Sequence, residues 1–228
     1  MNVLNQFLWV IFPYICLAVF VVGHIFRYRN DQLGWTAKSS EFVEKKQLKI
    51  GSMMFHLGII PVILGHVAGL VVPKEWMESL GVDNHLYHIG AVYIGGVFGL
   101  LTLGGMFILT WRRFTKKNVR QLSSLSDIIV NVLLLFIVIM GMYSTVVTNA
   151  VDPSFDYRET ISIWFRGLFT FNPQAALMAA VPLSFKVHII SGFFIFALWP
   201  FTRLVHVWSV PVTYASRNYI LYRKNSRA

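Results

Sequence analysis

The sequence predicts an all-α integral membrane protein, a bundle of five transmembrane helices, and three observations carry that prediction. Of its 228 residues, 56% are hydrophobic and only 13% are charged, too apolar a balance for a soluble domain of this size. Five apolar stretches, at about 4–26, 51–72, 88–110, 127–149 and 183–207, are each long enough to cross a hydrocarbon core about 30 Å thick. The basic residues gather at the ends of these stretches and are not spread over one soluble face, so the net charge of +10 indicates membrane flanks and not a nucleic-acid surface.

The first stretch, MNVLNQFLWVIFPYICLAVFVVGHIF, lacks a basic leader and a small-residue cleavage site, so it reads as a retained span. Its Cys16 is the only cysteine. That excludes an internal disulfide, a CxxCH haem attachment and a cysteine-ligated cluster, and any haem is held non-covalently. The second and third stretches carry Gly65, Gly69, Gly95, Gly99, Gly104 and Gly105, where backbones or a flat macrocycle can approach closely. Between the fourth and fifth, residues 150–182 form one long connection. Its IWFRGLFTF predicts a short amphipathic helix lying at the interface and capping a site there. The fifth stretch contains Pro200, a bend point, and leads into a basic tail, 208–228. No repeat, nucleotide-binding loop or separate soluble domain interrupts a single membrane-embedded domain over 1–228.

If every stretch crosses, residues 27–50, 111–126 and the chain from 203 lie on one side with sixteen of the twenty Lys and Arg, against Lys74, Arg158, Arg166 and Lys186 on the other. The positive-inside rule then places the N-terminus outside and the C-terminus in the cytoplasm.

Histidines inside a membrane are costly and each needs a reason. His56 and His66 lie on the second helix, about 15 Å apart along its axis, and His188 and His206 on the fifth, about 27 Å apart on one face. The two helices are antiparallel, which sets His56 level with His206 and His66 level with His188. Two imidazoles on opposite faces of a haem leave no open iron position, so such a centre transfers electrons. The 15 and 27 Å intervals disagree, and a bend at Pro200 is one way to absorb the difference. The plain alternative is histidines that hydrogen-bond neighbouring helices. His24 sits at the inner border as an interfacial residue. His85 and His88 lie at the outer mouth of the third helix; His85 reads as a solvated loop residue, while His88 is placed to accept a proton. Arg203, Arg112 and Arg113 are candidates to pair with haem propionates, Arg203 foremost.

The stretches FRYRNDQLGWTAKSSE, FHLGIIPVILGHVAGLVVP, FKVHIISG and WPFTRLVHVWSVPVTY closely resemble the gamma subunit of respiratory nitrate reductase, nearest to versions from Gram-positive bacteria. The resemblance covers essentially the whole chain. It implies two haem b groups, with His56 and His206 on the iron nearer the cytoplasm and His66 and His188 on the outer iron. It also implies menaquinol as substrate, a cytoplasmic iron–sulfur beta subunit, a molybdenum-containing alpha subunit that reduces nitrate, and a bacterial cell membrane. Better-known members have a lysine after the second helix that is linked to quinol binding. This chain has no Lys or Arg between Lys74 and Arg112, so the role falls to His88 or the site is organised differently.

The expected mechanism has quinol bound beside Gly65, His66 and His88, two protons released outward, and electrons carried inward through the outer and then the inner haem. Two alternatives compete: the cytochrome b subunit of a hydrogenase or formate dehydrogenase, and a haem-free membrane anchor or transporter. The sequence has no broken-helix pair to favour transport.

Overall fold

The computed structural model describes residues 2–31, 40–148 and 155–208, and among them all secondary structure is helical. In chain order the helices that position the site are α1 (Val3–Asn30), α2 (Lys46–Leu70), α3 (Asn84–Thr115), α4 (Leu125–Thr148), the shorter α5 (Ile161–Phe169) and α6 (Leu183–Leu198). All but α5 belong to spans long and apolar enough to cross a membrane. Large apolar side chains such as Val22, Leu64, Leu100 and Phe107 point outward and exposed, as they do where lipid replaces water. The last residue expected in the fourth span, 149, and the tail after Trp208 lie outside the described residues.

Local chemistry sets where the helices start. The Glu44 carboxylate accepts the N–H groups of Gln47 and Leu48 at 2.9 and 3.3 Å, capping α2. Asp83 accepts from Leu86 N–H at 2.7 Å, so α3 begins four residues earlier than expected. His85 and His88 therefore belong to its first turns, which corrects the reading of His85 as a loop residue. Ser124 and Asp127 close a capping box at the start of α4.

The ends of the spans depend on prolines. Pro73 has no N–H to return to Gly69, and Pro13 has none for Trp9, so an α-helical register leaves both carbonyls without a donor. α5 supplies the hydrogens: Ser162 Oγ donates to Gly69 O at 2.6 Å and Trp164 Nε1 to Trp9 O at 2.7 Å, while Arg166 reaches Leu70 O at 3.3 Å. The amphipathic helix expected at the interface therefore forms, but it is inserted into the mouth of the bundle. Trp164 and Leu168 are 1% and 2% exposed, packed with Trp9, Cys16, Met178 and Phe193.

α2 and α3 make the closest helix pair. A Cβ on Gly105 would press on the backbone of Gly51 and Phe55, and one on Gly58 on Phe98 O; here absent side chains let two backbones meet. Of the glycines singled out from sequence, Gly69 faces the Tyr87 and Tyr157 hydroxyls, Gly99 faces Met142, Gly104 faces Met54, and Gly65 and Gly95 face open space.

The last span departs furthest from expectation. The sequence predicts one helix over 183–207, bent at Pro200 and five turns long between His188 and His206. Instead α6 ends at Leu198, a 3-10 turn runs through Trp199–Phe201, Thr202 is extended, and a second 3-10 turn covers Arg203–Val207. Pro200 cannot continue the α-helical ladder, so His206 sits on a separate short segment. That break removes the mismatch between the 15 and 27 Å intervals.

Candidate functional site

The structure brings the four intramembrane histidines together as two facing pairs. The ring centroids of His56 and His206 are 6.0 Å apart with planes at 70°, and those of His66 and His188 are 6.1 Å apart at 28°. The pairing is the antiparallel one expected of the second and fifth spans. One metal ion between two imidazoles, with metal–nitrogen bonds of about 2 Å and about 1.1 Å from each nitrogen to its ring centre, needs about 6.2 Å. Both pairs fit that spacing.

In every pair Nδ1 is already used. It lies 2.7 Å from Ser52 O in His56, 2.7 Å from Val62 O in His66, 3.0 Å from Ile137 O in His188 and 2.7 Å from Arg203 O in His206. A carbonyl can only accept, so each Nδ1 carries the hydrogen and Nε2 keeps the lone pair. Gly141 of α4 makes room for His188, since a Cβ there would stand 2.9 Å from the ring. Around Gly65, next to His66, and Gly192, one turn beyond His188, a Cβ would meet nothing within 4 Å. Among the described residues no three His, Cys, Asp or Glu side chains converge. Each pair thus offers two imidazoles, a number that suits a metal whose remaining donors come from a ring such as a porphyrin.

The arginines considered for propionates differ in their commitments. Arg112 is 2% exposed and is bound to Glu44 Oε2 at 2.6 Å and to Ser40; it clamps the segment before α2. Arg113 donates to Ser123 Oγ at 2.6 Å while its buried Nε has no partner among the described residues. Arg203 Nε pairs with Asp127 Oδ1 at 2.7 Å. Burial would raise Glu44, but Arg112 and the two α2 amides hold its carboxyl below the usual 4.5.

At the opposite end, near Gly69, the Tyr87 and Tyr157 hydroxyls are 2.5 Å apart and Arg158 lies 3.9 Å over the Tyr87 ring. Burial pushes the Tyr157 phenol well up, so it stays protonated. Asp156 is also partly buried, yet the backbone and guanidinium of Arg158, with Lys74, hold it below 3.8. The hydrogen bond to Glu159 raises Lys74. His88 is half-buried and adjacent to Tyr87, His85 is exposed, and His24 packs edge-on to Phe20 and Trp208. Tyr87, Tyr157 and Asp127 went unseen in the sequence. Only Asp127, an acid at the start of an apolar span, left a signal there.

Comparison with known proteins decides the family. The nitrate reductase gamma subunit family matches residues 5–225. The chain is 49% identical to the nitrate reductase gamma chain of Bacillus subtilis (strain 168) over 97% of this chain and 99% of that one. The chain belongs to the nitrate reductase gamma subunit family. It is also 37% identical to the respiratory nitrate reductase 2 gamma chain of Escherichia coli (strain K12), over 96% and 97% of the two chains. A third relative, nitrate reductase-like protein NarX of Mycobacterium tuberculosis, is 39% identical over 97% of this chain but only 34% of its own length. As a gamma subunit the chain is a haem-binding membrane component of an oxidoreductase complex that contains other subunits.

Proposed function

We propose that this gamma subunit is the dihaem, quinol-oxidising cytochrome b of a respiratory nitrate reductase. Quinol gives up two electrons and two protons beside His66, the protons leave on the outer side, and the electrons reach a cytoplasmic iron–sulfur beta subunit that serves a molybdenum-containing alpha subunit. The observation that carries this reading is the pair of imidazole couples at 6.0 and 6.1 Å, each with Nδ1 tied to a carbonyl.

When bound, a haem at each pair would supply a one-electron carrier. His56 and His206 would hold the cytoplasmic one, His66 and His188 the outer one, each through Nε2. Arg112 is balanced by Glu44, and Arg203 pairs with Asp127, whose charge is also felt by Arg113 without a direct ion pair. The excess positive charge and the orphaned Arg113 Nε suit a propionate, met by the terminal nitrogens of Arg203. The open side of Gly65 gives quinol its approach, and His88 is placed to take a proton. An electron moved inward across the full membrane against a potential negative inside does about 2.3 kcal/mol of work per 100 mV, so charge separation needs no proton channel.

Reduced-minus-oxidised spectra with haem quantitation on the purified complex and on His56→Ala, His66→Ala, His188→Ala and His206→Ala test the assignment. Two b-type centres are expected, one lost in the 56 and 206 variants and the other in the 66 and 188 variants. No haem, or an identical loss in all four, would refute it.

A further inference from the structure

We infer that Asp127 is a positioning residue for the His56–His206 centre, acting through Arg203. This rests on the dihaem reading above. Three of the four histidines hand Nδ1–H to a carbonyl within a transmembrane helix: Ser52 and Val62 of α2, and Ile137 of α4. His206 alone among the four uses a carbonyl outside these helices, that of Arg203, on a short 3-10 turn that follows the extended Thr202. A ligand on such a turn needs its segment held from another element.

Asp127 provides that hold. Its Oδ1 takes Arg203 Nε at 2.7 Å. Its Oδ2 accepts Ser124 N–H at 3.1 Å, and its own N–H donates to Ser124 Oγ at 3.2 Å, so the carboxylate is locked to the first turn of α4. It is 8% exposed, in surroundings where a charged hydrogen bond is strong and directional. The linkage runs from the α4 terminus through carboxylate, guanidinium and backbone carbonyl to the imidazole. Arg113 lies within electrostatic reach of both Asp127 and Arg203, so removing the acid leaves the repulsion between the two arginines uncompensated and frees the turn that carries His206. Outer partners of metal-bound histidines are typically worth about 10–100-fold in affinity.

The test uses the purified complex and reads haem content, the midpoint potential of each centre and the low-spin electron paramagnetic resonance signals for wild type and Asp127→Asn. The expected result is a shifted potential and signal, with about 10–100-fold weaker haem retention, confined to the centre that His206→Ala removes. An unchanged centre, or an equal change in both centres, overturns the inference. Should Asp127→Asn not assemble, Asp127→Glu, which displaces the charge by one methylene, decides by the same readings. A wild type lacking two b-type centres would sink the dihaem reading itself. An intact wild type with an unaffected His56–His206 centre in the variant sinks only the role of Asp127.

Discussion

Imidazole orientation distinguishes the two candidate centres. Crossed axial rings leave the two iron π orbitals nearly degenerate, while near-parallel rings split them. The 70° and 28° interplanar angles therefore predict two different low-spin resonance signals in the oxidised complex, the more anisotropic one vanishing in His56→Ala and the more rhombic one in His66→Ala. Two indistinguishable signals would contradict these angles. At the Arg112–Glu44 clamp, Glu44 is held below its ordinary 4.5. Its contribution to stability is thus complete above about pH 4.5 and declines as the pH falls through the lowered value. Once corrected for the intrinsic pH dependence of amide exchange, protection across residues 40–49 should fall on acidification in wild type and already be low at neutral pH in Glu44→Gln. The histidines could be found in the sequence because an ionisable group in hydrocarbon demands a reason. Their carboxylate-bearing supports could not, since Glu44 and Asp127 meet their arginines across 68 and 76 residues.

Among the elements, α5 carries more than its length suggests. It fills two backbone vacancies created by prolines, so loss of either donor strands a buried carbonyl at about 1–3 kcal/mol. Trp164→Phe and Ser162→Ala should each lower the melting temperature of the detergent-solubilised subunit, with Trp164→Phe the more damaging because the indole also fills the core. Gly105→Leu should be worse still, since its side chain would have to displace the α2 backbone, and the protein is expected not to accumulate. The number and approximate limits of the spans followed from hydropathy alone. The earlier start of α3 needed the Asp83 cap, and the docking of α5 needed knowledge of which carbonyls lacked donors, a tertiary fact that local sequence does not contain.

For the molecule as a whole, orientation and cofactor dependence are directly measurable. Cys16 is 2% exposed and is the only native cysteine, so an introduced thiol can be read cleanly. Ser79→Cys is expected to react with a membrane-impermeant maleimide in intact cells; labelling only after lysis would invert the proposed topology. Haem withdrawal should leave the helices formed but less stable, because a ligand at a thousandfold over its Kd contributes about 4 kcal/mol per site. Far-UV circular dichroism and thermal melts of the subunit made with and without haem would measure that difference. Fold class, the facing of the histidines and a bend at Pro200 were legible at this scale because topology forces antiparallel helices into register and proline breaks the ladder; the extended Thr202 and the 3-10 turn that carries His206 were not, because they depend on how packing redirects the chain after the break.

That redirection makes the two ligand-bearing spans unequal in what editing they tolerate. Between His56 and His66 the helix continues through Pro61, so one inserted residue turns everything beyond it by about 100° and swings one histidine away from its mate. Between His188 and His206 the chain pauses at Trp199–Thr202, where an extra residue lengthens a turn and leaves α6 facing as before. One span acts as the gauge that fixes the separation of the centres, and the other keeps the slack. An insertion after Phe201 should leave the His66–His188 centre intact and at most loosen the His56–His206 one, whereas one after Ile60 should abolish at least one centre.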